Sequence, residues 1–321
     1  MRGRELTGDR ARVVFMGSPS IAVGTLEALA RCSDISLVVT QPDRPGGRGR
    51  KLHPTAVNLK ATELGIPVLA VENVNAIEPI ERIRLAQPQA IVVVSFGQIL
   101  KNALLHLLPF GCINVHFSLL PQLRGPAPVA WAIIRGLRET GVTIMKLARK
   151  MDAGGILVQR AEKISESDTT ETLSARLATI GAELLVDTLA GYMSGAIEAV
   201  GQDETQVTYA PKITREMGAV DWARPAREID CLIRGLSGQA EAYSVLQTRD
   251  IRVTLYNSAE VRGASPGPGV AARGARGELL IGAAAGLVEI KEIQAAGKRS
   301  VTGAEFANGY HITGGERFGR C

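Results

Sequence analysis

The chain has 321 residues, of which 45% are hydrophobic and 21% are charged, and its formal net charge is +5 at pH 7. This length suits two domains, and the composition is ordinary for a globular protein with a sizeable core. No apolar run in the sequence is long enough to predict a membrane span. The positive balance is compatible with a polyanionic partner but does not identify one, because basic residues exceed acidic ones only slightly in each half of the chain.

The cysteines and the first residues exclude further classes of protein. The four cysteines, at positions 32, 112, 231 and 321, lie too far apart for a Cys-x-x-Cys metal or redox motif. We therefore predict a cytoplasmic protein without a structural metal site. Residues 1–11 are rich in arginine and lack an apolar stretch, so we expect a flexible tail rather than a targeting peptide.

The first predicted elements have the order of an α/β sheet. Residues 12–16 form a continuous apolar run typical of a buried strand, a turn follows at Gly17, and a helix extends to about Ala30. A strand, turn and helix in this order can bind a dinucleotide, but the required Gly-x-Gly-x-x-Gly spacing is absent. The next predicted elements are strand 35–40, helix 53–64, strand 66–70, helix 76–86 and strand 90–95. This alternation predicts a mostly parallel sheet covered by helices.

A basic segment rich in glycine and proline interrupts this alternation at residues 41–51. It reads Gln-Pro-Asp-Arg-Pro-Gly-Gly-Arg-Gly-Arg-Lys, and its four cations are Arg44, Arg48, Arg50 and Lys51. The glycines and prolines predict a loop without regular structure. Such a loop can be a solvated surface segment or an arm that contacts a nucleic-acid backbone, and the composition alone leaves both interpretations open.

A polar pair ends the next predicted strand, residues 111–116. Asn114 and His116 are two positions apart, so their side chains point to the same face of that strand. An amide and a protonated imidazole can both donate hydrogen bonds to one oxygen, as an oxyanion in acyl transfer requires. Taken alone, the pair is equally compatible with an amide that caps a turn and a structural histidine in the core.

Three short motifs with a defined spacing strengthen the catalytic interpretation. Residues 114–121 read Asn-Val-His-Phe-Ser-Leu-Leu-Pro, residues 140–143 read Thr-Gly-Val-Thr, and residues 152–154 read Asp-Ala-Gly. Together they resemble the pattern of the folate-dependent formyltransferases. The resemblance implies an α/β catalytic domain over residues 12–206, with a Rossmann-like open sheet and helices on both faces. A smaller OB-like β-barrel domain would follow over residues 207–321.

The resemblance also implies which residues carry the chemistry. Asn114, His116 and Asp152 match the catalytic residues of the family. Asn114 and His116 would donate to the oxyanion, while Asp152 would keep His116 protonated and help to move the proton from the attacking amine. The formyl donor would be 10-formyltetrahydrofolate, and no metal would be needed. The residues expected to seat the folate are Phe96, Gly97, Ser118, Leu119, Leu120 and Pro121.

The basic segment 41–51 is similar to the loop that the tRNA-specific members of this family insert into the acceptor arm. By this resemblance, Arg48 is the principal tRNA-binding candidate, and Arg44, Arg50 and Lys51 are the others. The partner would be initiator Met-tRNA, which a monomeric enzyme would also contact through its C-terminal barrel.

The C-terminal part of the sequence differs in character from the rest. A short strand is predicted at Asp221-Trp222 and a helix over 225–235, and short strands separated by glycine, proline and serine turns indicate a small β-barrel. These short strands are residues 242–248, 251–258, 278–281 and 286–293. The sequence departs from the family after the helix, where Leu-Ser-Gly-Gln-Ala-Glu-Ala-Tyr replaces the usual turn containing tryptophan and proline.

Other functions remain compatible with parts of this pattern. A formyltransferase acting on a small amine, such as an amino-sugar nucleotide, would share Asn114, His116 and Asp152, but the basic segment and the barrel argue against it. An RNA-binding protein with an inactive formyltransferase domain would be expected to lose one of these three residues. A serine or cysteine nucleophile is disfavoured, because no Gly-x-Ser-x-Gly turn is present and Cys112 lies on a predicted buried strand.

Overall fold

The computed structural model describes residues 10–46 and 51–319, which divide into two compact units. The first unit contains the described residues up to Pro126 together with Gly141–Glu162 and Ala175–Tyr209. The second contains Ala127–Thr140, Lys163–Ser174 and the chain from Ala210 onward. Two short segments from the first part of the sequence thus belong to the second unit. The domain boundary between residues 206 and 207 therefore remains a prediction.

In chain order, the helices and strands up to residue 193 are β1 (Arg12–Gly17), α1 (Val23–Cys32), β2 (Asp34–Thr40), β3 (Arg44–Gly46), β4 (Lys51–His53), α2 (Ala56–Glu63), β5 (Val68–Ala70), α3 (Ile77–Leu85), β6 (Ala90–Val94), α4 (Asn102–Leu105), β7 (Cys112–His116), α5 (Pro128–Ile134), β8 (Glu139–Lys146), β9 (Ile156–Lys163) and α6 (Thr170–Met193). The remaining elements are α7 (Ala226–Leu236), β10 (Ala242–Leu246), β11 (Ile251–Val261), β12 (Ala271–Arg273), β13 (Leu279–Gly282), β14 (Leu287–Ala295), β15 (Ser300–Thr302), α8 (Gly303–Gly309) and β16 (Phe318–Gly319).

A seven-stranded mixed sheet forms the centre of the first unit, in the order β5-β2-β1-β6-β7-β8-β9. The pairs from β5 through β7 are parallel, whereas β8 runs antiparallel to β7. All five residues of β6 are buried, because a central parallel strand is covered on both faces and favours β-branched side chains. The predicted α/β fold class is confirmed. The carboxyl ends of β1, β6 and β7 meet at one edge, which is where open α/β sheets bind ligands.

The second unit contains an antiparallel sheet in the order β12-β13-β14-β11-β10-β16, with β15 paired to β14. An isolated antiparallel bridge between Val270 and Arg317 brings the two edge regions of this sheet together, which gives it a barrel-like closure. Helix α7 packs on it through residues such as Ile229, Ile233 and Leu236, which recur at helical spacing and are buried. The smaller barrel-like second domain is thereby confirmed as part of the fold.

The predicted strand at Asp221-Trp222 was wrong, because the chain turns at these residues. Trp222 is buried in the core of the second unit, and its indole Nε1 donates a hydrogen bond to Ser244 Oγ at 3.0 Å. The nearest backbone pairing is an isolated parallel bridge between Ala219 and Tyr243. The tryptophan therefore marks an anchor in the core rather than a strand.

The prediction that residues 41–51 lack regular structure was also wrong, for residues 44–46 and for Lys51. Strands β3 and β4 pair antiparallel, with Arg44 opposite His53 and Gly46 opposite Lys51. An isolated two-stranded ribbon tolerates proline and glycine, since each strand needs a backbone partner on one side only. Arg48 and Arg50 lie outside the described residues.

No helix in the described part of the chain is both long and apolar enough to cross a membrane.

Candidate active site

The Asn-x-His pair lies at the carboxyl end of β7, next to the end of β6. Residues 91–93 of β6 pair in parallel with residues 112–114 of β7, and His116 lies opposite Thr143 of the antiparallel β8. Asn114 and His116 are 9% and 6% exposed, so each retains a small accessible surface at the edge of the sheet. The strand alternation predicted from the sequence therefore directs both side chains to the same partly accessible place.

Both ring nitrogens of His116 face acceptor oxygens. Its Nε2 lies 3.1 Å from the carbonyl oxygen of Leu123, and because a carbonyl only accepts hydrogen bonds, Nε2 carries a proton in this pair. Its Nδ1 lies 3.9 Å from Oδ2 of Asp152, too far for a direct hydrogen bond but close enough for an ionic attraction when the ring is protonated. The backbone N–H of Leu123 donates to Thr208 Oγ1 at 2.9 Å, which holds that carbonyl in place.

The side-chain amide of Asn114 makes no hydrogen bond to another described residue, and the residue keeps 9% of its surface accessible at the edge of the sheet. A partly accessible amide that the protein does not engage can donate to a ligand oxygen or to water at this edge. Of the three candidate catalytic residues, Asn114 is thus the one whose donor group is not engaged by the protein.

Asp152 is held in an unusual backbone conformation that turns its carboxylate toward His116. Its φ is +50°, a left-handed value that non-glycine residues adopt at a cost. Oδ2 of Asp152, the oxygen nearest His116, also accepts a hydrogen bond of 2.8 Å from the backbone N–H of Gly125. This bond links the Asp-Ala-Gly motif to the Arg-Gly-Pro segment that follows the Ser-Leu-Leu-Pro turn.

The glycine of the Asp-Ala-Gly motif is required by packing. A Cβ atom on Gly154 would lie only 1.7 Å from the carbonyl oxygen of Lys146, at the end of β8. On the other side of the turn, Gln202 donates through its Nε2 to the carbonyl oxygens of Asp152 and Gly154, at 2.8 and 2.7 Å. The backbone around Asp152 is therefore fixed from two sides.

The Ser118–Pro121 turn is organised by residues of the neighbouring strands. The hydroxyl of Thr143 donates to the carbonyl oxygen of Ser118 at 2.6 Å and accepts from the backbone N–H of Leu120 at 3.1 Å. Gln159 Nε2 donates to Thr143 Oγ1 and to the Leu120 carbonyl oxygen, at 2.9 and 2.8 Å. The second threonine of the Thr-Gly-Val-Thr motif thus fixes the turn expected to seat the folate.

The six predicted folate-seating residues differ in accessibility. Ser118, Leu120 and Phe96 are 0%, 3% and 2% exposed, so these side chains are part of the core. Leu119 and Pro121 are partly exposed, and Gly97 is exposed. A ligand at this edge would therefore meet backbone groups and Gly97 before it met most of the predicted side chains.

Gln41 connects the loop after β6 to the start of the basic segment. Its Nε2 donates to the carbonyl oxygen of Phe96 at 2.9 Å, and its Oε1 accepts from Nη2 of Arg44 at 2.9 Å. Gly97 has a φ of +84°, a left-handed value that favours glycine, and a Cβ atom there would displace the Gln41 amide. Arg44 is the only predicted tRNA-binding cation whose side chain is described, and it is exposed.

Sequence reasoning missed the residues that hold the site together, among them Gln41, Gln159, Arg124 and Gln202. Thr143 stands inside the Thr-Gly-Val-Thr motif, so its position could have been flagged, whereas Arg124 lies three residues after the Ser-Leu-Leu-Pro turn. The glutamines had no local signal, because the backbone carbonyls that they bind lie far along the chain: 55 positions for Gln41 and Phe96, 39 for Gln159 and Leu120, and 50 for Gln202 and Asp152. No group of three or more His, Cys, Asp or Glu side chains that could hold a metal ion is found in the part of the chain that the structure describes.

Comparisons with known proteins agree with the two-unit architecture. Residues 11–189 match the family model described as formyl transferase, and residues 212–311 match the model described as formyl transferase, C-terminal domain. The methionyl-tRNA formyltransferase of Pelobacter propionicus is 42% identical over 308 residues, which cover 96% of each chain. That of Trichlorobacter lovleyi is 41% identical over 94% of this chain and 95% of its own.

A solved structure with the same fold is an N-formyltransferase from Helicobacter canadensis, in complex with folinic acid and dTDP-3-aminofucose. It superimposes with a TM-score of 0.65 and 18% sequence identity, over 87% of this chain and 98% of the other. At this identity the likeness establishes the fold alone.

Proposed function

The chain belongs to the formyl transferase family, and we propose that it acts as a methionyl-tRNA formyltransferase. It transfers the formyl group of 10-formyltetrahydrofolate to the α-amino group of methionine on initiator tRNA. The observation that carries this proposal is 42% identity over 96% of both chains to a protein of that activity. The tRNA substrate favours a cytoplasmic location, and we propose that the enzyme works as a monomer.

The reaction exchanges one carbon–nitrogen bond for another. The methionyl amine attacks the formyl carbon of 10-formyltetrahydrofolate and forms the new bond, which pushes the carbonyl electrons onto oxygen. Asn114 donates its available amide N–H to this oxyanion. The Nε2 of His116 lies 3.1 Å from the Leu123 carbonyl oxygen. When substrate is bound, we propose that this N–H donates to the oxyanion instead. Donors aimed at developing charge in a site shielded from water commonly supply the largest part of such catalysis.

The second half of the reaction needs a proton to move from the attacking nitrogen to the leaving nitrogen of the folate. Asp152 is the group proposed to mediate this transfer and to position His116. Its Oδ2 lies 3.9 Å from His116 Nδ1 and is oriented by the Gly125 N–H. The carbon–nitrogen bond to the folate then breaks, which releases tetrahydrofolate and formyl-Met-tRNA.

The folate is proposed to bind where the loop after β6 meets the Ser118–Pro121 turn. The accessible parts there are Gly97, Leu119, Pro121 and backbone groups, and Phe96, Ser118 and Leu120 support them from the core. A flat pterin ring can form hydrogen bonds with backbone amides and carbonyls and pack on the apolar side chains.

The tRNA is proposed to bind the basic segment, with Arg48, Arg44, Arg50 and Lys51 contacting its backbone. The second unit offers further cations for the same partner. Arg252 is exposed and stacks on the Tyr243 ring, with its guanidinium carbon 3.9 Å from the ring centroid. The backbone N–H of Ala296 donates to the Arg252 carbonyl oxygen, so the turn that carries the exposed Lys298 lies beside it. Guanidinium and ammonium groups arranged in this way suit the phosphates of an RNA strand.

The deciding experiment offers the enzyme and 10-formyltetrahydrofolate two kinds of acceptor in parallel, Met-tRNA and free amino-sugar nucleotides. We expect formyl transfer to Met-tRNA only, with the efficiency of transfer reduced in the Arg48→Ala variant. Transfer only to amino sugars would overturn the tRNA assignment while leaving the formyl-transfer chemistry intact. Binding of Met-tRNA without any transfer would favour an RNA-binding protein with an inactive catalytic domain.

A further inference from the structure

A closed ring of hydrogen bonds joins Arg124 to both ends of Asp152. The backbone N–H of Gly125, the residue after Arg124, donates to the Asp152 carboxylate at 2.8 Å. The guanidinium of Arg124 donates from Nε and Nη2 to the side-chain oxygen of Gln202, at 3.0 and 2.6 Å. Gln202 Nε2 in turn donates to the carbonyl oxygens of Asp152 and Gly154. The Asp152 carboxylate is thus held by the N–H of Gly125, the residue after Arg124. The backbone of Asp152 and Gly154 is held by Gln202, which the Arg124 guanidinium in turn orients.

The ring leaves Gln202 only one orientation. Arginine has no hydrogen-bond acceptor, so the side-chain atom of Gln202 that faces it must be the oxygen. The NH2 group must then point toward the Asp152 turn, where two carbonyl oxygens receive its two protons. A primary amide is the neutral side-chain group that offers an acceptor on one side and two donors on the other.

Burial makes this arrangement rigid. The Arg124 side chain is fully buried, and its Nη1 finds no hydrogen-bond partner among the described residues. Placing a guanidinium there is costly unless its other donors are well used, and a planar, bidentate contact uses them effectively. Glu204 shares the charge by accepting from Arg124 Nη2 at 2.6 Å, and its other carboxylate oxygen accepts from Lys150 Nζ at 2.7 Å.

We propose that Arg124 and Gln202 are positioning residues that hold Asp152 in its left-handed conformation, with its carboxylate facing His116. A left-handed non-glycine residue persists only where its surroundings impose it, and the Gln202 contacts to the carbonyls of Asp152 and Gly154 impose it here. Neither residue is assigned a contact with substrate. The inference rests on the proposed role of Asp152 in formyl transfer.

The sharpest test is the Gln202→Glu variant. A glutamate keeps an acceptor oxygen for Arg124 and adds an ion pair, but it replaces the two donated protons with a carboxylate oxygen that repels both carbonyls. We expect kcat to fall about 10- to 100-fold, with the KM for folate and for Met-tRNA within about twofold of wild type, since displacements of about 1 Å can cost that much in rate. Gln202→Ala, which adds no charge, keeps the test valid if the melting temperature of the glutamate variant falls.

Gln206→Glu is the matched control, because Gln206 is exposed and bonds only to Asp203 among the described residues. This variant should retain the wild-type kcat. In an Asp152→Asn background, Gln202→Glu should lower kcat by no more than about twofold further. If Gln202 acts only through Asp152, its substitution has little left to disturb, so the two effects on kcat do not add. The proposal would be overturned if the two substitutions lowered kcat by the product of their single effects. It would also be overturned if Gln202→Glu changed only KM or kept the wild-type kcat.

A measurement independent of the acceptor separates this inference from the proposed function. Amide hydrogen exchange of the peptide covering residues 150–156 should become faster in Gln202→Glu and stay unchanged in Gln206→Glu. If wild-type enzyme fails to formylate Met-tRNA, the proposed function fails, while the exchange result still decides whether Gln202 holds the turn. Unchanged exchange in Gln202→Glu would reject the positioning role whatever the substrate.

Discussion

The turn around Asp152 and the β3–β4 hairpin present functional groups in opposite ways. The turn is fixed by Gly154 packed on Lys146, by two hydrogen bonds from Gln202 and by one from Gly125. The hairpin is a ribbon of two three-residue strands, and the exposed side chain of its cation Arg44 bonds to one described residue, Gln41. The first region is assembled from distant parts of the chain, whereas the second is contiguous.

This difference fits the functions proposed for the two regions. Proton transfer and oxyanion binding need atoms placed to within a fraction of an ångström, so the catalytic groups must be supported on several sides. Binding a polyanion needs positive charge and reach, which an exposed ribbon supplies without tight packing. The predictions below test this contrast, in order of decreasing expected effect.

The largest effect is expected in the candidate active site, from Asn114→Ala. Removing the available oxyanion donor should lower kcat by about 10²- to 10³-fold, while the affinity for Met-tRNA stays near that of wild type. Single-turnover formylation with saturating substrates measures the first quantity, and filter binding measures the second. Asn102→Ala, at an exposed position, is the matched control. A full kcat in Asn114→Ala would remove this residue from the mechanism.

Gly154→Ala should destabilise the fold by about 1–3 kcal/mol, because the added methyl group meets the Lys146 carbonyl oxygen and forces the backbone to move. Urea unfolding monitored by circular dichroism gives the free energy of unfolding. Gly201→Ala is the matched control, since a Cβ atom at Gly201 meets nothing within 4 Å. Equal stabilities of the two variants would show that the turn is not tightly packed.

In the hairpin, Arg44→Ala should raise the KM for Met-tRNA several-fold and leave kcat unchanged. The loss of one phosphate contact should also make binding less dependent on salt, with the logarithmic slope reduced by slightly less than one. Steady-state kinetics at several salt concentrations measure both quantities, with Arg31→Ala on α1 as the control cation. An Arg44→Ala variant that lost kcat instead would show that the hairpin is as tightly coupled to chemistry as the Asp152 turn.

The smallest effect is expected from Glu204, an exposed residue that bonds to Arg124 and Lys150 beside the Asp152 turn. Hydrogen bonds from Arg124 and then from Lys150 lower the pKa of Glu204 from 4.5 to about 2. A carboxyl whose pKa is lower in the folded state stabilises the protein above pH 4.5 and loses this contribution as the pH falls toward 2. Glu204→Gln should therefore be less stable than wild type at pH 7, and the difference in thermal stability should close between pH 4.5 and 2. A difference that persisted at pH 2 would rule out this linkage.

Much of the fold could be predicted from local patterns in the sequence. The apolar β-branched runs of β1, β2 and β6 identify buried strands, because a central parallel strand has no solvent face. The strand predicted at Asp221-Trp222 was wrong because Trp222 is buried by side-chain packing in the core, and not by backbone pairing in a sheet. The β3–β4 pairing was missed because glycine and proline are read as breakers even where a two-stranded ribbon accepts them.

For the candidate site, the sequence by itself predicted the candidate reacting groups. Asn114 and His116 share a face because strand side chains alternate, and the resemblance to the formyltransferases predicted Asp152 as their partner. Only the tertiary structure decided how these groups are held. Gln202 lies 50 positions from Asp152, and Arg124 lies 78 positions from Gln202. Such contacts have no periodicity to reveal them, because a hydrogen bond depends on where the folded backbone places donor and acceptor, and not on their separation along the chain.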